Sequence, residues 1–162
     1  MTCDFFYCYK HSKEKAMKHL SRIFRQVIVI APILWLLELF QNKLYFLATG
    51  KWGWVYPGSP YHWFSFETLP NWGLSVVVIY IVYRSWFMPH YTGTLKRILI
   101  IGIMGVILEY ANGFAYHHVT GNYLFIWEAS RMKYIDFIAI PMWWINAAVY
   151  HFLSCKLLNL HR

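Results

Sequence analysis

The chain has 162 residues, of which 59% are hydrophobic and only 14% charged, and its formal charge is +8. A soluble domain carries nearer a quarter charged residues, so most of this chain is not built to face water. The basic residues flank apolar runs instead of forming the aromatic-interleaved groove of a single-strand binder, so no nucleic-acid partner is expected.

The composition reads as an all-α, polytopic integral membrane protein, with residues 1–162 as a single membrane domain. Aromatic residues reach 21%, and such rings suit membrane interfaces. Cys3, Cys8 and Cys155 give no disulfide framework and no CxxC pair.

Residues 1–25 form a basic N-terminal segment. Within it Ala16, Leu20, Ile23 and Phe24 share one helical face, while Lys15, Lys18, Arg22 and Arg25 lie largely elsewhere. That pattern suits an interfacial helix feeding the first span, and equally a plain basic topogenic tail. The apolar run after it is too long for a cleavable leader and reads as a retained anchor.

Four transmembrane helices are expected, at about 26–48, 70–88, 97–118 and 135–158. Lys and Arg set their orientation. Lys10, Lys13, Lys15, Lys18, Arg22, Arg25, Arg84, Lys96, Arg97, Lys156 and Arg162 lie on one side. Only Lys43, Lys51, Arg131 and Lys133 lie on the other. Both termini are therefore expected in the cytoplasm, with a multi-pass location in a bacterial inner membrane. The outer loop at 49–71, "TGKWGWVYPGSPYHWFSFETLPN", is rich in Gly, Pro and aromatics. It reads as an aromatic belt or as a cap over the outer end. No internal repeat is identified, and the halves do not align as an inverted repeat, which counts against a self-contained transporter of that design.

The third span carries Gly105, Glu109, Gly113 and His117 at successive spacings of four, which places them on one helix face. The first span carries Glu38. Glu38 lies 13 residues beyond Arg25, and Glu109 lies 12 beyond Arg97. Both are thus expected roughly 18–20 Å above the inner basic ring. Tyr80 and Asn146 offer polar groups from the other two spans. An acidic residue at a helix centre costs roughly 2.5–3.5 kcal/mol on insertion scales. Two carboxylates at one depth disfavour each other's ionisation, so at least one is expected to hold a proton at neutral pH.

Glu109 and Glu38 are accordingly the catalytic candidates, with Asn112, His117, Asn146, Tyr80 and Trp143 as substrate-binding candidates. The structural alternative is an interhelical hydrogen-bond clasp. His117, His118 and His62, with Glu67, Glu128 and Asp136, form a weaker metal-binding candidate without fixed ligand spacing. No cofactor is expected, because Walker A, GxSxG and GxGxxG motifs are all missing.

The segment "LEYANGFAYHHVTGNYLFIWEASRMKYIDFIAIPMWW" resembles small bacterial membrane families, among them the ABC-transporter type IV membrane proteins. There a Glu- and Gly-bearing span leads into a Trp-Asp-Tyr-Ser turn. Here the turn is Trp127, Glu128, Ala129 and Ser130. The carotenoid-biosynthesis and lycopene-cyclase-like membrane proteins are also similar, although their Pro-x-Glu motif is missing and "FETLP" places Glu67 before Pro70. The resemblance implies a lipid-facing or permease-like role.

Three functions follow as expectations. The first is a mid-membrane acidic site that binds or modifies a lipidic or isoprenoid substrate, with membrane lipid as a partner. The second is a permease subunit acting with further copies or a membrane protein partner. The third is a non-catalytic assembly subunit.

Overall fold

The computed structural model describes residues 5–87, 93–128 and 130–158, with side chains from residue 13 onward except 156 and 157. Cys3 and Arg162 lie outside the described residues, as do the side chains of Cys8, Lys10 and Lys156. The chain is mostly helical. Helix α1 (Phe5–Arg25) continues through a wide π turn at Gln26–Ile30 into α2 (Ala31–Thr49). Pro32 has no N–H to donate, and the wide turn before it absorbs the lost rung, the Ala31 N–H reaching back to the Gln26 carbonyl. The basic segment and the first apolar run are thus one rod, and among the described residues two helices, Lys13–Thr49 and Thr94–Thr120, are long and apolar enough to cross a membrane.

Strand β1 (Trp54–Val55) follows, then α3 (Thr68–Val82), which runs on through π turns at Tyr83–Phe87. Helix α4 (Thr94–Thr120) leads to β2 (Ile126–Trp127) and α5 (Ala139–His151), which continues through Phe152–Leu157. The helical bounds match the expected spans closely at α4 and begin a little earlier at α3 and later at α5.

The expectation that the chain lacks an internal repeat is overturned. Positions 71 residues apart do the same structural work, without a gap, from the first long helix to the last. Gly50 and Gly121 both take φ 74° and end α2 and α4. Thr49 and Thr120 each bond back to the carbonyl four residues earlier at 2.8 Å. Tyr56 N–H donates to His62 O at 2.7 Å, and Trp127 N–H to Lys133 O at 2.9 Å. Among the described residues His62 and Lys133 are the non-glycine residues with positive φ, at 55° and 61°. The Ser65 hydroxyl accepts the Glu67 N–H, as the Asp136 carboxylate accepts the Ile138 N–H, both at 3.1 Å, and so each opens the helix that follows. Pro70 and Pro141 sit in the first turns of α3 and α5, where no donor is lost.

The strands show how the two units meet. β1 and β2 pair antiparallel, Val55 opposite Ile126 and Trp54 opposite Trp127. Val55 and Ile126 are themselves counterparts, so a pseudo-twofold axis passes between them. Both strands lie at the same end of the bundle, so α2 and α4 run parallel and the axis runs along the helices. The repeat is therefore direct, two helical hairpins side by side, and not the inverted kind.

Candidate functional site

Glu38 and Glu109 are counterparts near the middle of α2 and α4, and both line one cavity between the hairpins. Each carboxylate is part-buried and held at both oxygens. Glu38 Oε1 accepts the Tyr56 hydroxyl at 2.6 Å, and Oε2 accepts the Trp72 indole N–H. Glu109 Oε1 accepts the Trp127 indole N–H at 2.7 Å, and Oε2 accepts the Trp143 indole N–H. Trp72 and Trp143 are counterparts, as are Tyr56 and Trp127. The same two-donor arrangement is therefore built twice, from rigid rings with few rotamers to lose.

The rings also brace one another. Trp72 and Trp143 approach to 5.1 Å between centroids across the axis, and Trp54 and Trp127 to 4.8 Å. The Trp54 indole N–H donates to the Tyr56 hydroxyl at 2.9 Å. Burial pushes the Tyr56 phenol well above the ordinary tyrosine range, and the neighbouring Glu38 charge acts the same way, so Tyr56 stays a neutral donor.

Below the carboxylates a second polar layer crosses the axis. Gln41 Nε2 donates to Asn146 Oδ1 at 3.0 Å, and Asn112 Nδ2 donates to Ser75 Oγ at 3.0 Å. Gln41 and Asn112 are counterparts, and so are Ser75 and Asn146. The two bonds exchange under the pseudo-twofold, each tying one hairpin to the other. The cavity lining repeats the rule: Trp54 with Phe125, Thr68 with Ala139, and Asn71 with Met142 complete the pairs. The cavity itself is small, about 40 Å³. At one probe sphere of roughly 10–15 Å³ per water, it holds roughly three or four waters or one polar head of similar size.

Of the residues singled out from sequence, Glu38, Glu109, Asn112, Asn146 and Trp143 come together here. Tyr80 and His117 do not. Tyr80 is buried two turns beyond Trp72, toward the opposite end of α3, and accepts Arg84 Nη1 at 3.1 Å. The polar groups that α3 brings to the cavity are Thr68, Asn71, Trp72 and Ser75, of which Trp72 bonds a carboxylate. His117 lies at the strand end of α4, its ring stacked on Tyr123 at 4.1 Å. His118 stacks on Phe114 at 4.6 Å, and Asp136 is engaged in its turn. Among the described residues no group of three or more His, Cys, Asp or Glu is placed to hold a metal.

Sequence reasoning missed Gln41, Tyr56, Trp72, Trp127 and Ser75. The 71-residue offset would have found Trp72 from Trp143 and Gln41 from Asn112. Compared with protein-family models, with curated proteins and with solved structures, the chain matches none. The family resemblance therefore rests on the quoted segment alone.

Proposed function

We propose that the chain is a four-span integral membrane protein whose paired carboxylates form an acid/base site for the polar end of a lipidic or isoprenoid substrate. Several features support membrane placement. The apolar windows of the two long helices are only 28% and 22% buried within the bundle, so their hydrophobic residues face outward instead of forming a soluble core. Leu36, Phe40, Leu44 and Leu47 make one exposed apolar row, and Leu99, Ile103 and Ile107 another. With their π continuations, Thr68–Phe87 and Ala139–Leu157 each extend about 30 Å at 1.5 Å per residue, enough to span a hydrocarbon core.

The observation that carries the chemistry is the cavity on the pseudo-twofold, with a carboxylate on each side held by ring donors. A positioned carboxyl group can add or remove a proton. The four indoles of Trp54, Trp72, Trp127 and Trp143 offer faces that stabilise positive charge developing in the substrate. The cavity takes a head group and excludes a chain, so the tail leaves through the seams between hairpins, α2 against α5 or α3 against α4.

The direct repeat favours a second reading, a transport subunit. Parallel repeats related by an axis along the membrane normal occur in transporters, with the substrate near the midplane at the repeat interface. One experiment separates the two. The full chain is reconstituted in vesicles with a mixed lipid and isoprenoid pool, and the pool is analysed by mass before and after incubation. A new product from the wild type, lost in Glu38→Gln and in the Glu109→Gln/Trp127→Tyr pair, is the expected result. An unchanged pool with solute flux across the vesicle supports transport. A pool and flux unaffected by either variant overturn both readings.

A further inference from the structure

A second concavity lies at the end of the bundle opposite the strands, where α1 passes the π turns that follow α3. It is lined by Lys15, Lys18, His19, Arg22 and Arg84 and encloses about 330 Å³, within the range of small-ligand sites. Successive turns of α1 supply Lys15, Lys18, His19 and Arg22, and α3's continuation supplies Arg84. The described lining holds four cationic side chains and no acid, and Glu14, four residues before Lys18, pairs with it at 2.6 Å. The wall is anchored in the core: the Tyr80 hydroxyl, wholly buried at its ring, accepts Arg84 Nη1 at 3.1 Å and lies 3.5 Å from His19 Nδ1. The His19 and Tyr80 rings sit 5.7 Å apart.

The surroundings narrow the ligand further. Met17, Leu20 and Phe24 form an exposed apolar row on the same helix, and Trp86 is 71% exposed two residues beyond Arg84. The apolar row lies on the face of α1 away from the pocket, and with the exposed indole it sets this end of the bundle at headgroup depth, where a basic pocket meets lipid phosphates. The geometry points to a binding site for the phosphate of an anionic phospholipid, at the α1 end of the rod that α1 and α2 form. This inference rests on the membrane placement proposed above but not on the carboxylate chemistry.

The test uses the full chain purified in mild detergent, offered equal amounts of phosphatidylglycerol and phosphatidylcholine, with retained lipid read by native mass spectrometry. The wild type is expected to retain the anionic lipid in about tenfold preference, and Lys15→Gln/Lys18→Gln to bring the ratio near parity. Both positions are exposed, so the variant keeps its fold, and adding Arg22→Gln extends the series. Lys51→Gln/Arg131→Gln, at the strand end, is expected to leave the preference intact. Equal retention by the wild type, or a preference untouched by the α1 changes, overturns the site. Displacement of the lipid by millimolar inorganic phosphate assigns the pocket to free phosphate and overturns the lipid assignment. A chain that stays in the aqueous phase without detergent overturns the membrane placement as well, and that result is distinct from a lost preference.

Discussion

The two hairpins share a backbone and differ in most of their side chains. Turns, helix ends and the strand match position by position, even where the residues are as unlike as His62 and Lys133. The differences that bear on the site lie in the cavity and in the helices that frame it. Glu38 is held by a hydroxyl and an indole, Glu109 by two indoles. Asn42 in the first unit corresponds to Gly113 in the second, and Leu34 to Gly105. A direct repeat need only keep the geometry that aims its carboxylates. Its halves are then free to specialise, and each substitution that makes one half like the other tests what the difference does.

The largest effect is expected at Gly105. A Cβ there would lie 2.0 Å from Trp143 Cε3, so no side chain fits unless the indole moves. The first unit tolerates Leu34 at this position. Gly105→Ala should destabilise the fold by about 3 kcal/mol and pull Trp143 off Glu109, which thermal unfolding in detergent and tryptophan fluorescence will report together. An unchanged melting temperature would show that the close α4–α5 approach is not needed.

The carboxylates come next. Gln in place of Glu presents one acceptor and one donor. At Glu109 both partners are indole N–H groups, which only donate, so Glu109→Gln sets an NH₂ against an N–H and leaves both unsatisfied. About 2 kcal/mol should be lost. At Glu38 the Tyr56 hydroxyl can turn and accept, so Glu38→Gln should cost about 1 kcal/mol or less. Trp127→Tyr gives the second unit the hydroxyl of the first, and should recover part of the Glu109→Gln loss. Equal costs for the two single variants, or no recovery in the double one, would break the proposed distinction.

These carboxylates were legible in the sequence because charge at the centre of an apolar helix has few benign explanations, and because equal residue counts from two basic clusters set them level along parallel helices. Their partners were not. Indoles and phenols in an aromatic-rich loop look alike until the β1–β2 pairing turns Tyr56 and Trp127 inward. The repeat escaped notice for a related reason. Only a few counterparts are identical, such as Thr49–Gly50 with Thr120–Gly121, Ser59 with Ser130, and Pro70 with Pro141. The others conserve a hydrogen-bonding role across different side chains, as Ser65 and Asp136 do. Tyr80 was misplaced because side-chain type was read without its helix face or depth, and two turns separate it from the polar layer.

A smaller contrast lies beneath the strands. Asn42 is wholly buried, donating to Trp54 O at 2.9 Å and accepting the Gly53 N–H at 3.1 Å. Its counterpart Gly113 makes no such bonds, and the rings of Phe125 and Tyr134 take up the space beside it. Asn42→Ala should cost about 1.5 kcal/mol, because it strands buried backbone groups. Gly113→Ala brings a Cβ to 3.1 Å from Phe125 Cζ, a few tenths of an ångström too close, and should cost about 0.5 kcal/mol. A reversed order would mean that the first loop is held by its ring stack, Trp52 on Trp63 at 5.6 Å, more than by Asn42.

The smallest expected difference is the most exacting. Gly50 and Gly121 share φ 74°, and a Cβ at either would meet nothing within 4 Å. Packing therefore contributes nothing, and only the backbone conformation resists a side chain. Gly50→Ala and Gly121→Ala should each cost about 1 kcal/mol, and the two values should agree within measurement. Agreement requires more than matched dihedrals: both helix ends must also unfold in the same cooperative step. If one substitution is silent while the other is not, the hairpins melt separately. The cavity between them would then be an interface between two units that open independently, and both crossing bonds, Gln41 to Asn146 and Asn112 to Ser75, would break before either hairpin does.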